Sequence, residues 1–528
     1  MENSNNLIKA ENGCVKMTRI HNEDNNGTRT QVVEKIQSLQ SNLGIKDRPP
    51  FRDKAKQFLD YEERTSFVSL ESKIKKKLDK LARRAKEYPL DDSGNTDFVC
   101  DILGDNIYYD SIAGQFMIYN DIRWMYVNNA YILRIVERCM NCRRDSILAS
   151  NSASQDMFKH AMSCSDHKSL KAVREILKCR VVLDDETRLK FDSVPYLLNV
   201  ANGTIDLRTG ELKEHRRKDY ITQVIPFEYH PNALAKRFKL FLREVFLDDM
   251  ENIGYVQKVL GYSITGETCE QCLFFLVGNG SNGKSTLGGV IMYVIKDYAS
   301  IVSARTFVRA VARPDAPTPE LAQLVKARFV TCSEWNENDV LDEGKVKMLT
   351  GGSEISVRKL FGDPFSYAPK FKVFLDTNYL PHIHGGDYGI WRRIRLIPFY
   401  ASFTKKKIDL NLPEKLKSEA EGILAWLVEG AVKYYTEGLK EPRNFKDAYK
   451  AYKRFEDAIG SFLDECVEYS EGEEISANKL YEAYLEYCSF NNCRRESMTV
   501  FGRRMSKTKY VKHKRSSGYV YLGAKLVH

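Results

Sequence analysis

Long apolar runs are absent from this 528-residue chain: nothing approaches the roughly 20 consecutive apolar residues that a membrane-spanning helix needs. The opening residues, MENSNNLIKAENG, have no apolar core of a secretory leader. Both absences lead us to expect a soluble, intracellular protein without a membrane partner. Cysteine is sparse and scattered, 12 in all, which suits a reducing compartment better than a disulfide framework. Cys139-x2-Cys142 followed by His160-x3-Cys164-x2-His167 has a superficial zinc spacing. Cys139 and Cys142 share one turn of an expected helix, however, and Cys269-x2-Cys272 runs into an apolar strand, so no zinc is expected. Proline is missing between Pro89 and Pro195, and there is no internal repeat. Acid is missing at the end of the chain: Thr499 to His528 holds eight Lys or Arg and no Asp or Glu, within a net charge of +10. With a second basic cluster, KIKKKLDKLARRAK at 73–86, this suggests a polyanionic partner, although solvated helix faces produce such runs too.

What is present reads as a multidomain globular chain. Residues 1–50 are rich in Asn, Ser, Asp and Glu and read as a disordered tail, with a basic helical linker following to 96. The stretch 106–127, NIYYDSIAGQFMIYNDIRWMYV, is aromatic and broken at Ala113-Gly114, as a hairpin is. Helical character dominates 130–180, and NGTIDLRTGEL at 202–212 reads as a second hairpin. Residues 236–266 and 413–440 read as helical. Between them, buried-type strands alternate with helices, the α/β pattern.

The richest signal is QCLFFLVGNGSNGKSTLGGVIMYV. A continuous apolar run, as in a strand buried on both faces, gives way to three glycines and then a helix. Gly278-x4-Gly283-Lys284-Ser285 has the spacing of a phosphate-binding loop, comprising Gly278, Asn279, Gly280, Ser281, Asn282, Gly283, Lys284, Ser285 and Thr286. Glycine lets backbone amides approach an anion closely, the helix N-terminus favours negative charge, Lys284 would reach the β- and γ-phosphates, and the Ser285 hydroxyl would bind Mg2+. ATP with Mg2+ is therefore the expected ligand.

A hydrolase also needs a carboxylate at the end of a neighbouring strand. Arg328-FVTCS-Glu334 supplies one, with Glu337 close behind, though a strand ending in a charged turn is also common. FKVFLDTN ends in Asn378, suited to bind the γ-phosphate or the attacking water. Then come Trp391-Arg392-Arg393, where an arginine is placed either to stabilise charge on a neighbouring subunit's phosphate or to form a structural ion pair.

In order and spacing these motifs resemble the superfamily 3 helicases, closest to the phage/plasmid and poxvirus-type primase–helicase family. The residues carrying the resemblance are GNGSNGKST, the strand ending in Glu334, Lys347-MLTGGSEISV-Arg358, Thr377-Asn378-YL-Pro381 and Trp391-Arg392-Arg393. It extends upstream through LGYSITGET, NGTIDLRTGEL and GQFMIYNDIRW, and covers about 97–528. The resemblance implies an AAA+-type P-loop ATPase core over 236–412 and an α+β helicase-associated domain over 97–235. A helical connector over 413–454 and a C-terminal winged helix over 455–528 complete the implied architecture. It assigns catalysis to Lys284, Glu334, Asn378 and Arg393, with Arg392 second to it, and Mg2+ to Ser285 and Glu334. Lys347, Arg358 and Lys359 would lie on or beside a DNA-gripping hairpin. Two departures stand out. Ser333 precedes Glu334 where many such ATPases have a second acid, and Ser353 replaces an Asp of the family pattern.

In the tail, GSFLDECVEY, ISANKLYEAYLEYC and MTVFGRRMSK read as helices and YVKHKRSSGYVYLGA as a hairpin. Arg503, Arg504, Lys512, Lys514 and Arg515 would touch DNA phosphates without reading sequence, unless the unit is a protein-binding wing. The expectation is an ATP-dependent DNA helicase of a viral, phage or plasmid replicon, acting in the compartment of that DNA on single-stranded and forked substrates. It would work as a homo-oligomer, a hexamer, moving 3′→5′ as the resemblance implies. About 95 residues precede the matched region, too few for an ordinary primase domain, so a separate primase or polymerase is expected. The rivals are an origin-binding or loading factor that does not unwind, and a P-loop phosphotransferase.

Overall fold

The computed structural model describes residues 68–528 apart from 151–152, 310–317, 334, 337–338, 361, 384–387, 404–408 and 528. The chain divides into two units, Met1–Glu63 and Arg64–His528, and every element below belongs to the second. The expected tail over 1–50 lies outside the described residues. Among the described residues no helix is long and apolar enough to cross a membrane.

The aromatic stretch at 106–127 forms three antiparallel strands rather than a hairpin alone: β1 Ile107–Asp110, β2 Gln115–Tyr119 and β3 Trp124–Val127. Its first turn falls at the anticipated Ala113-Gly114. Gly114 has φ +65°, and the Asp110 carboxylate accepts the Ile112 and Ala113 amides at 3.0 and 3.2 Å. Helices Asp92–Leu103, Asn129–Leu148 and His167–Arg180 pack on this meander around a core of Phe98, Phe116, Ile118 and Val136. A second meander, β4 Leu197–Val200, β5 Gly203–Asp206 and β6 Glu211–Lys213, turns at the anticipated Asn202-Gly203 and Thr209-Gly210.

The expected helical run over 236–266 is two helices, Lys236–Val245 and Met250–Ser263. Leu247 and Asp248 interrupt it with φ of +54° and +60°, a left-handed pair that no helix propagates, and Asp249 caps the second helix by accepting the Asn252 amide at 3.1 Å. This second helix crosses the long helix Ala420–Glu437 backbone to backbone. A Cβ on Gly261 would come within 2.1 Å of the Ala431 nitrogen, and one on Gly430 within 2.2 Å of the Gln257 oxygen.

At the centre lies a five-stranded parallel sheet in the order β13-β7-β12-β9-β8, where β7 is Leu273–Val277, β8 Ala299–Ser303, β9 Phe329–Ser333, β12 Lys372–Thr377 and β13 Ile394–Pro398. β7 is apolar throughout because both its faces are covered. Phe274 and Leu276 join one core, with Val290, Ile291 and Leu427. Leu273 and Phe275 join the other, with Val330, Leu349 and Trp391. Between β9 and β12 the chain makes the two-stranded hairpin β10 Ile355–Arg358 and β11 Pro364–Tyr367.

The C-terminal unit runs helix Ala458–Cys466, β14 Val467–Ser476, helix Ala477–Phe490, helix Met498–Met505, β15 Val511–Arg515 and β16 Gly518–Leu526. The three helices and the basic hairpin match expectation. The additional strand β14, which makes the sheet order β14-β16-β15, does not. Its sequence VEYSEGEEIS is acidic and bulged between Tyr469 and Glu474, with Gly472 at φ +84°, so it lacks the alternation that marks a strand.

Candidate functional site

The loop between β7 and helix Lys284–Ile295 turns through left-handed backbone at Gly280 (φ +85°), Ser281 (φ +47°) and Gly283 (φ +92°). Two of its glycines are also required by space. A Cβ on Gly278 would meet the Asn282 Nδ2 at 2.2 Å and the Phe399 oxygen at 2.6 Å. One on Gly283 would press into Val245 at 2.7 Å and the Phe241 ring at 3.1 Å.

Lys284 opens the helix and is buried. Its ammonium has three N–H donors and faces three acceptors: the Gly278 oxygen at 2.6 Å, Asn378 Oδ1 at 3.0 Å and Asn282 Oδ1 at 3.3 Å. Asp376 Oδ1 stands 3.9 Å away. Burial lowers the Lys284 pKa below the usual lysine range, and the Asp376 charge pulls it back up. The Ser285 hydroxyl donates to Asp376 Oδ2 at 2.6 Å. These contacts follow from register: β12 pairs directly with β7, Thr377 opposite Val277, which sets Asp376 and Asn378 beside the loop.

A cleft of about 380 Å³ opens over the loop, lined by Gly280 to Thr286, Trp335, Asp376, Thr377 and Asn378. Among the described residues, two buried donors of residues lining the cleft, Asn282 Nδ2 and Trp335 Nε1, have no hydrogen-bond partner. A buried N–H left without an acceptor is costly. Ser285 and Asp376 present adjacent oxygens, the donor type that Mg2+ takes. The residues present therefore fit a Mg2+-polyphosphate.

The sequence-predicted residues distribute unevenly around this cleft. Lys284, Ser285 and Asn378 are brought together as expected. Glu334 and Glu337 lie outside the described residues. The expectation that the acid strand neighbours the loop strand needs correction: β9 is separated from β7 by β12. Among the described residues the carboxylate beside the loop is Asp376, which sequence reasoning missed. Its signal was the i, i+2 spacing to Asn378, which places two side chains of an extended segment on one face.

Arg392 and Arg393 sit at the opposite edge, where β13 begins. The Leu273 amide donates to the Arg393 oxygen, at the far end of β7 from the loop and about 15 Å from it at the rise of a parallel strand. The Arg393 guanidinium is buried within the chain, donating to Thr350 Oγ1 at 3.0 Å and to the Gly389 oxygen. Arg392 is exposed and donates to Gln271 Oε1 at 2.7 Å. Of the pair, Arg392 is the one turned outward.

Arg358 and Lys359 stand at the β10–β11 turn, exposed, with Leu360 beside them at 61% exposure. Lys347 is on the preceding helix Glu343–Thr350 and half-buried. In the C-terminal unit Arg503, Lys512 and Lys514 are exposed. Arg504 pairs with Asp457 at 2.9 Å and Arg515 with Glu474 at 2.8 Å. Cys139 is buried in a hydrophobic core, and His160 lies 3.2 Å from Asn95 Oδ1.

Three family models match the chain. One described as D5 N terminal like covers residues 96–247, a family of unknown function covers 276–393, and one described as Poxvirus D5 protein-like covers 454–523. The protein named "Putative helicase L207/L206" of Acanthamoeba polyphaga mimivirus is 26% identical over 435 residues, 75% of this chain and 44% of that protein. Primase D5 of Fowlpox virus is 24% identical over 273 residues, 48% of this chain and 33% of that protein. The apo structure of the NrS-1 C terminal region is similar with a TM-score of 0.41 and 11% identity, covering 79% of this chain and 96% of that one. The chain spans less than half the length of the viral relatives it matches. With a D5 N-terminal-like segment before the phosphate loop and a poxvirus D5-like segment after it, the chain fits the D5-type primase–helicase family.

Proposed function

We propose that the protein is an ATP-dependent DNA helicase of a replication system, moving 3′→5′ as a ring of identical subunits. The names of its relatives support helicase-like work on DNA. The observation that carries the reading is the constellation around Lys284: one ammonium shared by the loop and Asn378, with Ser285 tied to Asp376 on the neighbouring strand. In this reading the loop amides and Lys284 hold the β- and γ-phosphates. Ser285 and Asp376, with Glu334 as the resemblance implies, would hold Mg2+, which when bound would neutralise developing phosphate charge. Asn378 orients the water or the γ-phosphate. The sheet order, with the asparagine strand between the loop strand and the acid strand, suits an AAA+-type core.

Arg392, exposed at the edge opposite its own cleft, is assigned to the phosphate of the next subunit, and Arg393 to holding the start of β13 in place. The β10–β11 turn, with Arg358, Lys359 and Leu360, is the DNA-gripping element. The C-terminal order helix, strand, helix, helix, strand, strand suits a winged helix, with Arg503, Lys512 and Lys514 free to meet phosphates.

Strand displacement with ATP on substrates tailed at either end tests this directly. The 3′-tailed substrate should be unwound and the 5′-tailed one spared. Arg392→Ala should keep ATP binding within about twofold yet lose hydrolysis by at least about 100-fold. Retained hydrolysis in that variant would refute the shared site. DNA-stimulated hydrolysis without displacement would favour a loading factor instead.

A further inference from the structure

Helix Arg443–Glu456 follows the central sheet in sequence, and none of its residues lines the phosphate cleft. Three of its side chains nevertheless reach from one face, at i, i+3 and i+7, to backbone of the ATPase core: Tyr449, Tyr452 and Glu456. Tyr449 Oη donates to the Trp391 oxygen at 3.0 Å, and Tyr452 Oη donates to the Pro381 oxygen. The Glu456 carboxylate accepts the Ile383 amide at 3.0 Å, and its other oxygen lies 3.0 Å from His382 Nδ1. That carboxylate is buried, its side chain 7% exposed.

The backbone it holds leads away from the cleft. Pro381, His382 and Ile383 stand three to five residues beyond Asn378, whose Oδ1 accepts from Lys284 at 3.0 Å. The same segment is fixed on another side. His382 donates its amide to the Asp339 oxygen at 2.9 Å, and its own oxygen accepts the Leu341 amide at 2.9 Å. Glu456 therefore lies behind the corner where the chain leaving Asn378 pairs with the chain that follows Glu337. Its own place is set from the C-terminal unit: Asp457, next in the chain, pairs with Arg504 at 2.9 Å, and Arg454 with Glu465 at 2.9 Å. Apolar side chains at these positions would supply adhesion alone. Hydrogen bonds to backbone also set direction, and a buried carboxylate is costly without them.

We propose that Glu456 is a positioning residue of the ATPase, holding Pro381–Ile383 so that Asn378 stands where the γ-phosphate or the attacking water arrives. The inference rests on the phosphate-loop reading and adds to it a group from beyond the sheet. Glu456 touches neither nucleotide nor metal and acts through the backbone it binds. Because hydrogen bonds rather than charge do this, glutamine can replace it. Its Oε1 accepts the Ile383 amide, and its Nε2 donates to Nδ1 of a neutral His382 ring. Alanine does neither.

The experiment is steady-state ATP turnover by the full chain, with Mg-ATP affinity by calorimetry and folding by urea denaturation on the same samples. Glu456→Ala should lower kcat at least about tenfold and leave the Kd for Mg-ATP within about twofold, since a small misplacement at a reacting group is costly in rate. Glu456→Gln should bring kcat back to within about threefold of native. Tyr452→Phe removes one hydroxyl and keeps the ring against Trp391, and should lower kcat about threefold with affinity unchanged. This variant decides the matter if Glu456→Ala does not fold. A kcat that neither Glu456→Ala nor Tyr452→Phe alters, a glutamine variant as slow as the alanine one, or a loss of ATP affinity matching the loss of kcat overturns the positioning role and leaves the phosphate loop standing. Turnover that survives Lys284→Ala overturns the phosphate-loop reading and this inference with it.

Discussion

The two ends of the central sheet bury cations in opposite ways. At the C-terminal end of β7, Lys284 meets two side-chain amides and one loop carbonyl, beside two buried N–H donors that have no partner among the described residues. At the other end, Arg328 donates to the Ile264 and Leu197 oxygens, both at 2.8 Å, with the Tyr298 ring 4.7 Å from its guanidinium. Beside it Lys372 donates to the Thr265, Glu267 and Lys370 oxygens and lies 4.9 Å from the centre of the Tyr262 ring. Burial lowers both of these pKa values, that of Lys372 well below the usual range. The difference lies in what an incoming anion can replace. Backbone carbonyls fixed by the fold make a clamp, whereas amide side chains and a glycine loop make, in the function proposed, a site whose acceptors would give way to phosphate.

The comparison is tested most severely at Lys284 itself. Lys284→Ala should abolish hydrolysis, by about 1,000-fold or more in ATP turnover, with the urea midpoint moved little. A protein that unfolds instead would show Lys284 to be a clamp like the others. Lys372→Met should do the reverse. It strands three carbonyls and should cost about 3 kcal/mol in urea unfolding, while the folded fraction still binds ATP.

Asp376→Asn probes the metal side of the cleft. Removing its charge should raise the Mg2+ concentration needed for tight binding of a fluorescent ATP analogue about tenfold, and leave metal-free binding unchanged or tighter. The smallest effect is on pH. Because burial holds the Lys284 pKa down, raising the pH strips its proton earlier than from an ordinary lysine, so ATP affinity should decline on the alkaline side. Asp376 props that pKa up, so Asp376→Asn should shift the decline to lower pH still. A decline that ignores the substitution would place the titrating group elsewhere.

The residues that were legible in sequence are those whose chemistry is local. Gly278, Gly283, Lys284 and Ser285 fall within eight positions, and the backbone between them can close only with glycine at its tight approaches. The turns at Gly114, Gly203 and Gly210 were readable for the same reason, since a left-handed or crowded turn names its residue. Strand β14 was hidden because its bulge and acidic face erase the alternation.

The chain's own order of residues determined that a phosphate loop stands between an apolar strand and a helix, and that an asparagine strand and an arginine pair follow. Only the folded sheet decided which strand lies against that loop, and so made Asp376 its neighbour. The fold also decided which arginine faces outward. The physical reason is that strand order and helix crossing are set by burial across distant segments, summed over the whole core. Spacing along the chain carries only the forces that act within a few residues.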